Sequence, residues 1–215
     1  GGLNYLKKGS TEFKAYKYDK DIPESLSGNN VKTVFLDSNQ DLWVGTFNGG
    51  LSLHLGDGKF KHFLEGHSVY SITENSDGKL YIGGRTGLYM MDLETRDITR
   101  EVFPSSSGKR HIETFVTVLY TDSKNRIWIG TRAYGIYLFD PVRSMLKQFK
   151  SSPTDTTSIS GDYVITIGED DQQQIWVGTY SGLNKFNEDD YSFDRMNPRI
   201  GIDDYVINGL QTDDG

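Results

Sequence analysis

The sequence predicts an all-β fold, a β-propeller section of four-stranded blades, and three observations carry that prediction. A short aromatic strand recurs as Leu42-Trp43-Val44-Gly45-Thr46, Leu80-Tyr81-Ile82-Gly83-Gly84, Ile127-Trp128-Ile129-Gly130-Thr131 and Ile175-Trp176-Val177-Gly178-Thr179. Its aromatic residues lie about 38, 47 and 48 residues apart, near the roughly 40–50 of a propeller blade. The chain is also rich in glycine (24 of 215 residues) and in aromatics (13%), which suits many short strands joined by tight turns.

Each period reads in the same order. First come strand-like segments, Val31 to Asp37, Val69 to Asn75, Val116 to Asp122 and Val164 to Asp170. Then Asp37-Ser38-Asn39-Gln40, Asn75-Ser76-Asp77-Gly78, Asp122-Ser123-Lys124-Asn125 and Asp170-Asp171-Gln172-Gln173 supply residues that bond their own backbone or accept left-handed conformations. After the aromatic strand a third begins at Gly50-Leu51, Gly87-Leu88, Gly135-Ile136 and Gly182-Leu183. Outer strands are weaker, with Lys59–Phe63, Ile98–Phe103, Met145–Phe149 and Tyr191–Phe193 as candidates. No helical periodicity separates them, which favours a propeller over a helical solenoid.

The ends hold partial copies. Gly1-Gly2-Leu3-Asn4-Tyr5 matches Gly49-Gly50-Leu51-Ser52-Leu53 and leads to an outer strand near Phe13–Tyr18, while Val206–Gly215 matches a first strand. The expected units are a partial blade over 1–30, blades over about 31–68, 69–115, 116–163 and 164–205, and a partial blade over 206–215. Propellers normally close into a ring, so further blades are expected outside this sequence.

Composition narrows function by exclusion. A net charge of −7 supplies no overall positive field for phosphates, so nucleic acid is not an expected partner. The longest apolar runs, such as Val116 to Tyr120, fall far short of a helical membrane span. Without cysteine there are no disulfides, thiolate metal sites or cysteine nucleophiles. His54, His62, His67 and His111 form no spaced metal motif, and neither a nucleophile elbow nor a phosphate-binding glycine loop is present. Neither catalytic residue, metal nor cofactor is expected.

Fixed places in the repeat assign Trp43, Tyr81, Trp128 and Trp176 to packing between blades rather than to ligand. Gly45, Gly83, Gly130 and Gly178, two residues later, let a neighbouring blade approach. Acidic turn residues are assigned to local backbone bonding rather than calcium. The better ligand candidates come from topology: the turn between second and third strands and the linker into each first strand emerge on one face. Those segments supply Asn30, Phe47, Asn48, His67, Arg85, Arg132, Tyr134, Tyr180 and Tyr205, with Arg110-His111 in a further linker. Aromatic faces there could cover sugar rings, and Arg85 or Arg132 could pair with a carboxylate or sulfate.

The linkers Pro23-Glu24-Ser25-Leu26-Ser27-Gly28-Asn29-Asn30-Val31 and Thr156-Thr157-Ser158-Ile159-Ser160-Gly161-Asp162-Tyr163-Val164, taken with the Trp-hydrophobic-Gly-Thr strand, closely resemble the two-component regulator propeller repeat. The second unit departs from it at Tyr81, Gly84 and a short Glu65-Gly66-His67 linker. In that family, many of whose members are hybrid sensor kinases of Bacteroidetes, seven-bladed propellers form a periplasmic sensor. The resemblance implies a non-catalytic sensor segment of an inner-membrane-anchored histidine kinase that detects glycan-derived oligosaccharides and controls transcription of glycan-use genes. Its partners would be that oligosaccharide, the remaining blades and further sensor domains of the chain, with room for a homodimer of the full sensor. Two other classes stay open on the residues: a protein-interaction scaffold, and a propeller lyase or glycosidase, the latter disfavoured by the lack of a convincing acid/base pair.

Overall fold

The computed structural model describes residues 1–100, 103–105 and 108–196. Strand β1 (Leu3–Leu6) pairs antiparallel with β2 (Phe13–Tyr16) as a two-stranded sheet whose Leu3 and Tyr16 pack against Leu26, Val44 and Phe60. The first four-stranded sheet follows, β3 (Val31–Leu36), β4 (Leu42–Thr46), β5 (Gly50–Gly56) and β6 (Lys59–Phe63). The second holds β7 (Val69–Glu74), β8 (Lys79–Gly84), β9 (Gly87–Asp92) and β10 (Ile98–Arg100). A small hairpin of β11 (Phe103–Ser105) and β12 (Gly108–Arg110) separates it from the third sheet. That sheet comprises β13 (Val116–Thr121), β14 (Ile127–Thr131), β15 (Ile136–Asp140) and β16 (Met145–Phe149). The fourth comprises β17 (Val164–Glu169), β18 (Ile175–Thr179), β19 (Gly182–Asn187) and β20 (Ser192–Arg195). All four sheets are antiparallel meanders, and the first strands β3, β7, β13 and β17 lie against one another in succession. These are propeller blades.

One device closes the first turn of every blade. Asp37 Oδ1 accepts the backbone N–H of Asn39 and Asp41, and Asp122, Asp170 and Asn75 repeat the pattern two and four residues on. The fourth turn residue is left-handed each time: Gln40, Gly78, Asn125 and Gln173. In three blades the second carboxylate oxygen takes the indole Nε1–H of the aromatic strand, Trp43 to Asp37 at 2.8 Å, Trp128 to Asp122 at 2.8 Å and Trp176 to Asp170 at 2.7 Å. The second blade changes both partners together, to Tyr81 and Asn75.

Blades pack through the glycine of the aromatic strand. A Cβ on Gly45 would stand 2.7 Å from Val69 Cγ1, one on Gly83 2.5 Å from Val116 Cγ1, and one on Gly130 2.7 Å from Val164 Cγ1. The leading valine of each blade therefore seats where its predecessor has no side chain. Ion-dipole clasps join the opposite end: Glu74 accepts from Ser38 N and Oγ, and Glu169 from Ser123 N and Oγ, at 2.6–2.8 Å. Trp43 and Trp128 are fully buried, but Trp176 is only half-buried. Trp128 meets Phe186 of the next sheet edge-on at 4.8 Å, whereas no further sheet stands against Trp176 among the described residues.

Several element expectations change. The outer strand of the second blade is described over Ile98–Arg100, and Phe103 belongs instead to the extra hairpin, where it is buried against Phe139 of the third blade at 4.8 Å. The last outer strand is Ser192–Arg195 rather than Tyr191–Phe193, because Tyr191 takes a left-handed φ of 56° within the turn. Gly84 stands in the Thr position because a Cβ there would lie 2.5 Å from Ser68 O, which the short linker brings in. The 206–215 partial blade and Tyr205 lie outside the described residues.

Candidate functional site: a ladder of rings and cations on one face

Antiparallel order puts the second-to-third-strand turns and the linkers at the same end of every blade. One backbone hydrogen bond repeats there. Phe47 N donates to Asn30 O at 2.9 Å, Arg85 N to Ser68 O at 3.2 Å, Arg132 N to Phe115 O at 3.0 Å and Tyr180 N to Tyr163 O at 2.9 Å. The first residue of each turn is thus fixed beside the last residue of its blade's linker.

A second repeated feature brings two side chains, Lys32 and Tyr70, to that face. Pairing between first and second strands slips after Val31, Val69, Val116 and Val164, so Lys32, Tyr70, Thr117 and Ile165 have no ladder partner. A β-bulge of this kind bends the strand and redirects the extra residue. Lys32 Nζ lies 5.9 Å from the Phe47 ring and 5.8 Å from that of Tyr70. Tyr70 packs on Phe115 at 4.5 Å. Arg132 Cζ is 5.8 Å from the Phe115 ring and 6.0 Å from that of Tyr163, which stacks on Tyr180 at 6.1 Å with 5° between planes. The result is one continuous series across four blades, Phe47, Lys32, Tyr70, Phe115, Arg132, Tyr163 and Tyr180. Phe47, Tyr70 and Phe115 are half-buried, while Lys32, Arg132, Tyr163 and Tyr180 are exposed.

Of the residues singled out from sequence, Phe47, Arg132 and Tyr180 enter this series. Arg85 is exposed on the same face, and Asn30 reaches it through its carbonyl. Asn48 does other work: at φ 62° its N–H donates to Ser68 Oγ at 3.0 Å and its Oδ1 accepts from that hydroxyl at 2.8 Å, tying the first blade's turn to the second blade's linker. His67 turns to Tyr89, edge-on at 5.5 Å, and Tyr134 lies beneath Lys150 Nζ at 5.7 Å, so neither joins the ladder. Lys32, Tyr70, Phe115 and Tyr163 were missed. Each stands immediately beside the valine that opens a first strand, a place visible in the sequence though its bulge was not.

The ladder offers planar apolar faces for stacking with cations between them. Among the described residues no group of three or more His, Cys, Asp or Glu is placed to hold a metal ion. A separate cleft lined by Gln173, Gln174, Phe186, Glu188 and Asp190 opens at the other end of the fourth blade, away from the ladder.

Fold and site together define a β-propeller surface assembled from repeats. The two-component regulator propeller repeat matches residues 25–48, 112–133 and 158–181, so three segments of the chain carry that repeat. The matched segments skip the second blade, where Tyr81, Gly84 and the short linker depart from the pattern. A histidine kinase, P4, of Formosa agariphila is 25% identical over 199 residues, covering 86% of this chain and 14% of its own length. The extracellular domain assigned to a hybrid two-component system of B. thetaiotaomicron superposes with a TM-score of 0.70 at 25% identity, over 96% of this chain and 26% of that one. PorZ of Porphyromonas gingivalis, a surface component of the type-IX secretion system, superposes with a TM-score of 0.64 at 19% identity, over 85% and 28%, and shares the fold. The chain therefore spans a small fraction of the proteins it resembles.

Proposed function

We propose that these blades are a ligand-sensing, non-catalytic part of the periplasmic region of a membrane-anchored hybrid two-component sensor kinase, responding to glycan-derived oligosaccharides and through them controlling genes of glycan use. The likeness to a histidine kinase and to an extracellular two-component domain supports the signalling half of this reading. The ladder carries the ligand half: exposed and half-buried rings run across four sheets, as stacking of successive sugar faces requires. A ligand lying on it touches four separately packed blades at once. Differential affinity for two arrangements of those blades is what a sensor needs to shift its signalling equilibrium.

The test is calorimetric titration of the intact protein with a panel of oligosaccharides, with kinase autophosphorylation read in parallel. Tyr70→Ala and Phe115→Ala each lower affinity for the responsive sugar by about fivefold to tenfold, since a stacked ring contributes about 0.5–1.5 kcal/mol beyond its buried area. Unchanged affinity and response in both variants, at matched thermal stability, would remove the ladder from the binding site.

A further inference from the structure

Building on the sensing role above, we infer that the ligand is an anionic oligosaccharide, bound with its sugar faces on Tyr70 and Phe115 and its carboxylate or sulfate groups at Lys32 and Arg132. Charge on this face is left uncompensated. The chain has more acidic residues than basic ones, and some of its cations pair with them: Lys59 with Glu24, Arg96 with Asp41, Lys124 with Glu188, Arg143 with Asp140, and Arg126 with both Asp122 and Glu188. Lys32 and Arg132 form no ion pair among the described residues.

The acids of the neighbouring linkers do not serve them. In the linker ahead of the third blade, Glu113 pairs with Arg100 at 3.4 Å. In the linker ahead of the fourth, Asp162 Oδ1 accepts Ser151 N at 2.7 Å. Each ladder cation is instead placed between two rings, Lys32 between Phe47 and Tyr70, Arg132 between Phe115 and Tyr163. Ring contact positions a cation without cancelling its charge, so both present unspent donors to the open side of the face. They stand on either side of the Tyr70–Phe115 pair, in steps of 5.8, 4.5 and 5.8 Å. The order is cation, ring, ring, cation, which matches a chain whose anionic groups alternate with stackable sugar faces and disfavours a neutral one. Arg132 offers the planar fork suited to bidentate pairing with carboxylate or sulfate, and Lys32 a point charge indifferent to geometry.

The experiment titrates the intact protein with a tetragalacturonate, a sulfated carrageenan tetrasaccharide and neutral cellotetraose, each at about 50 and about 300 mM salt, because exposed charge contacts weaken as the Debye length shrinks. At least one anionic probe binds about tenfold or more tighter than the neutral one, equivalent to ~1.4 kcal/mol. That binding weakens with salt, and Lys32→Gln and Arg132→Gln each reduce it several-fold without altering thermal stability. Preference between the two anionic probes identifies carboxylate or sulfate as the recognised group. Neutral binding equal to anionic binding, lost in Tyr70→Ala yet untouched in Lys32→Gln and Arg132→Gln, would overturn the charge inference and leave the sensing role standing. Binding of none of the three probes would overturn both.

Discussion

Replacing Trp43 by Phe isolates one hydrogen bond while keeping a ring in its place. The indole Nε1–H donates to Asp37 Oδ2 at 2.8 Å inside the blade, and among the described residues that oxygen has no second partner. Oδ1 is already occupied by the N–H groups of Asn39 and Asp41. The substitution therefore leaves half of a buried carboxylate unsatisfied, and a hydrogen bond to a charged group contributes about 1.5–3 kcal/mol. Trp128→Phe makes the same change in the third blade with a different outcome. Asp122 Oδ2 there also accepts Arg126 Nε at 2.7 Å, so the oxygen keeps one donor. Loss of ring volume is common to both, and the difference between them should reach about 1 kcal/mol or more, Trp43→Phe being the worse. Adding Asp37→Asn to Trp43→Phe should recover part of the deficit by removing the buried charge, the combination of amide and smaller ring that Asn75 and Tyr81 already form in the second blade. Urea unfolding of the intact protein, followed by far-ultraviolet circular dichroism, measures all four proteins. Equal losses at Trp43 and Trp128, or no recovery in the double variant, would refute this account of the repeat.

Two further perturbations follow from the packing and the charges. Gly83→Ala places a Cβ 2.5 Å from Val116 Cγ1, so stability should fall by about 1–3 kcal/mol, and a second change, Val116→Ala, should cost less in that background than in wild type, as a double-mutant cycle would show. Asp92 is held at a pKa of about 2, against an ordinary value of 3.8, by the Lys79 ammonium and by the backbone N–H groups of Thr95 and Glu94. Because the folded value is the lower one, this contribution is present above about pH 4 and is lost as pH falls toward 2. Asp92→Asn should thus be less stable than wild type at neutral pH and converge with it below pH 2, and a stability gap that persists there would contradict the assignment.

Legibility in the sequence followed steric constraint. Trp43, Gly45 and their counterparts recur because one blade must seat the leading valine of the next, and any other residue would show its cost in packing; the period was therefore plain. The turn residues were equally readable, since Asp37, Asn75, Asp122 and Asp170 each close the same bonds. Trp176 misled only in degree, because burial depends on a neighbour as well as on the residue. The β11–β12 hairpin escaped notice because its strands are three residues long and Pro104 interrupts any alternating pattern. On the face that carries the ladder, topology found the turns that hold Phe47, Arg132 and Tyr180 but not the bulges. A bulge places no common demand on side-chain type, so Lys32, Tyr70, Thr117 and Ile165 share no signature.

That indifference has a consequence for how such a protein can change its mind about what it responds to. The four bulged positions carry a cation, an aromatic ring, a hydroxyl and an aliphatic chain on backbones that pair in the same way. Thr117 uses its hydroxyl to bond Gly130 O and Val164 O at 3.1 and 2.6 Å, whereas Lys32 and Tyr70 meet rings and each other, so exchanging either of these two alters the face while the hydrogen-bonded frame beneath stays put. On the proposed sensing role, selectivity and foldability fall to adjacent residues, Lys32 beside Val31 and Tyr70 beside Val69, so the two can drift independently at a separation of one peptide bond.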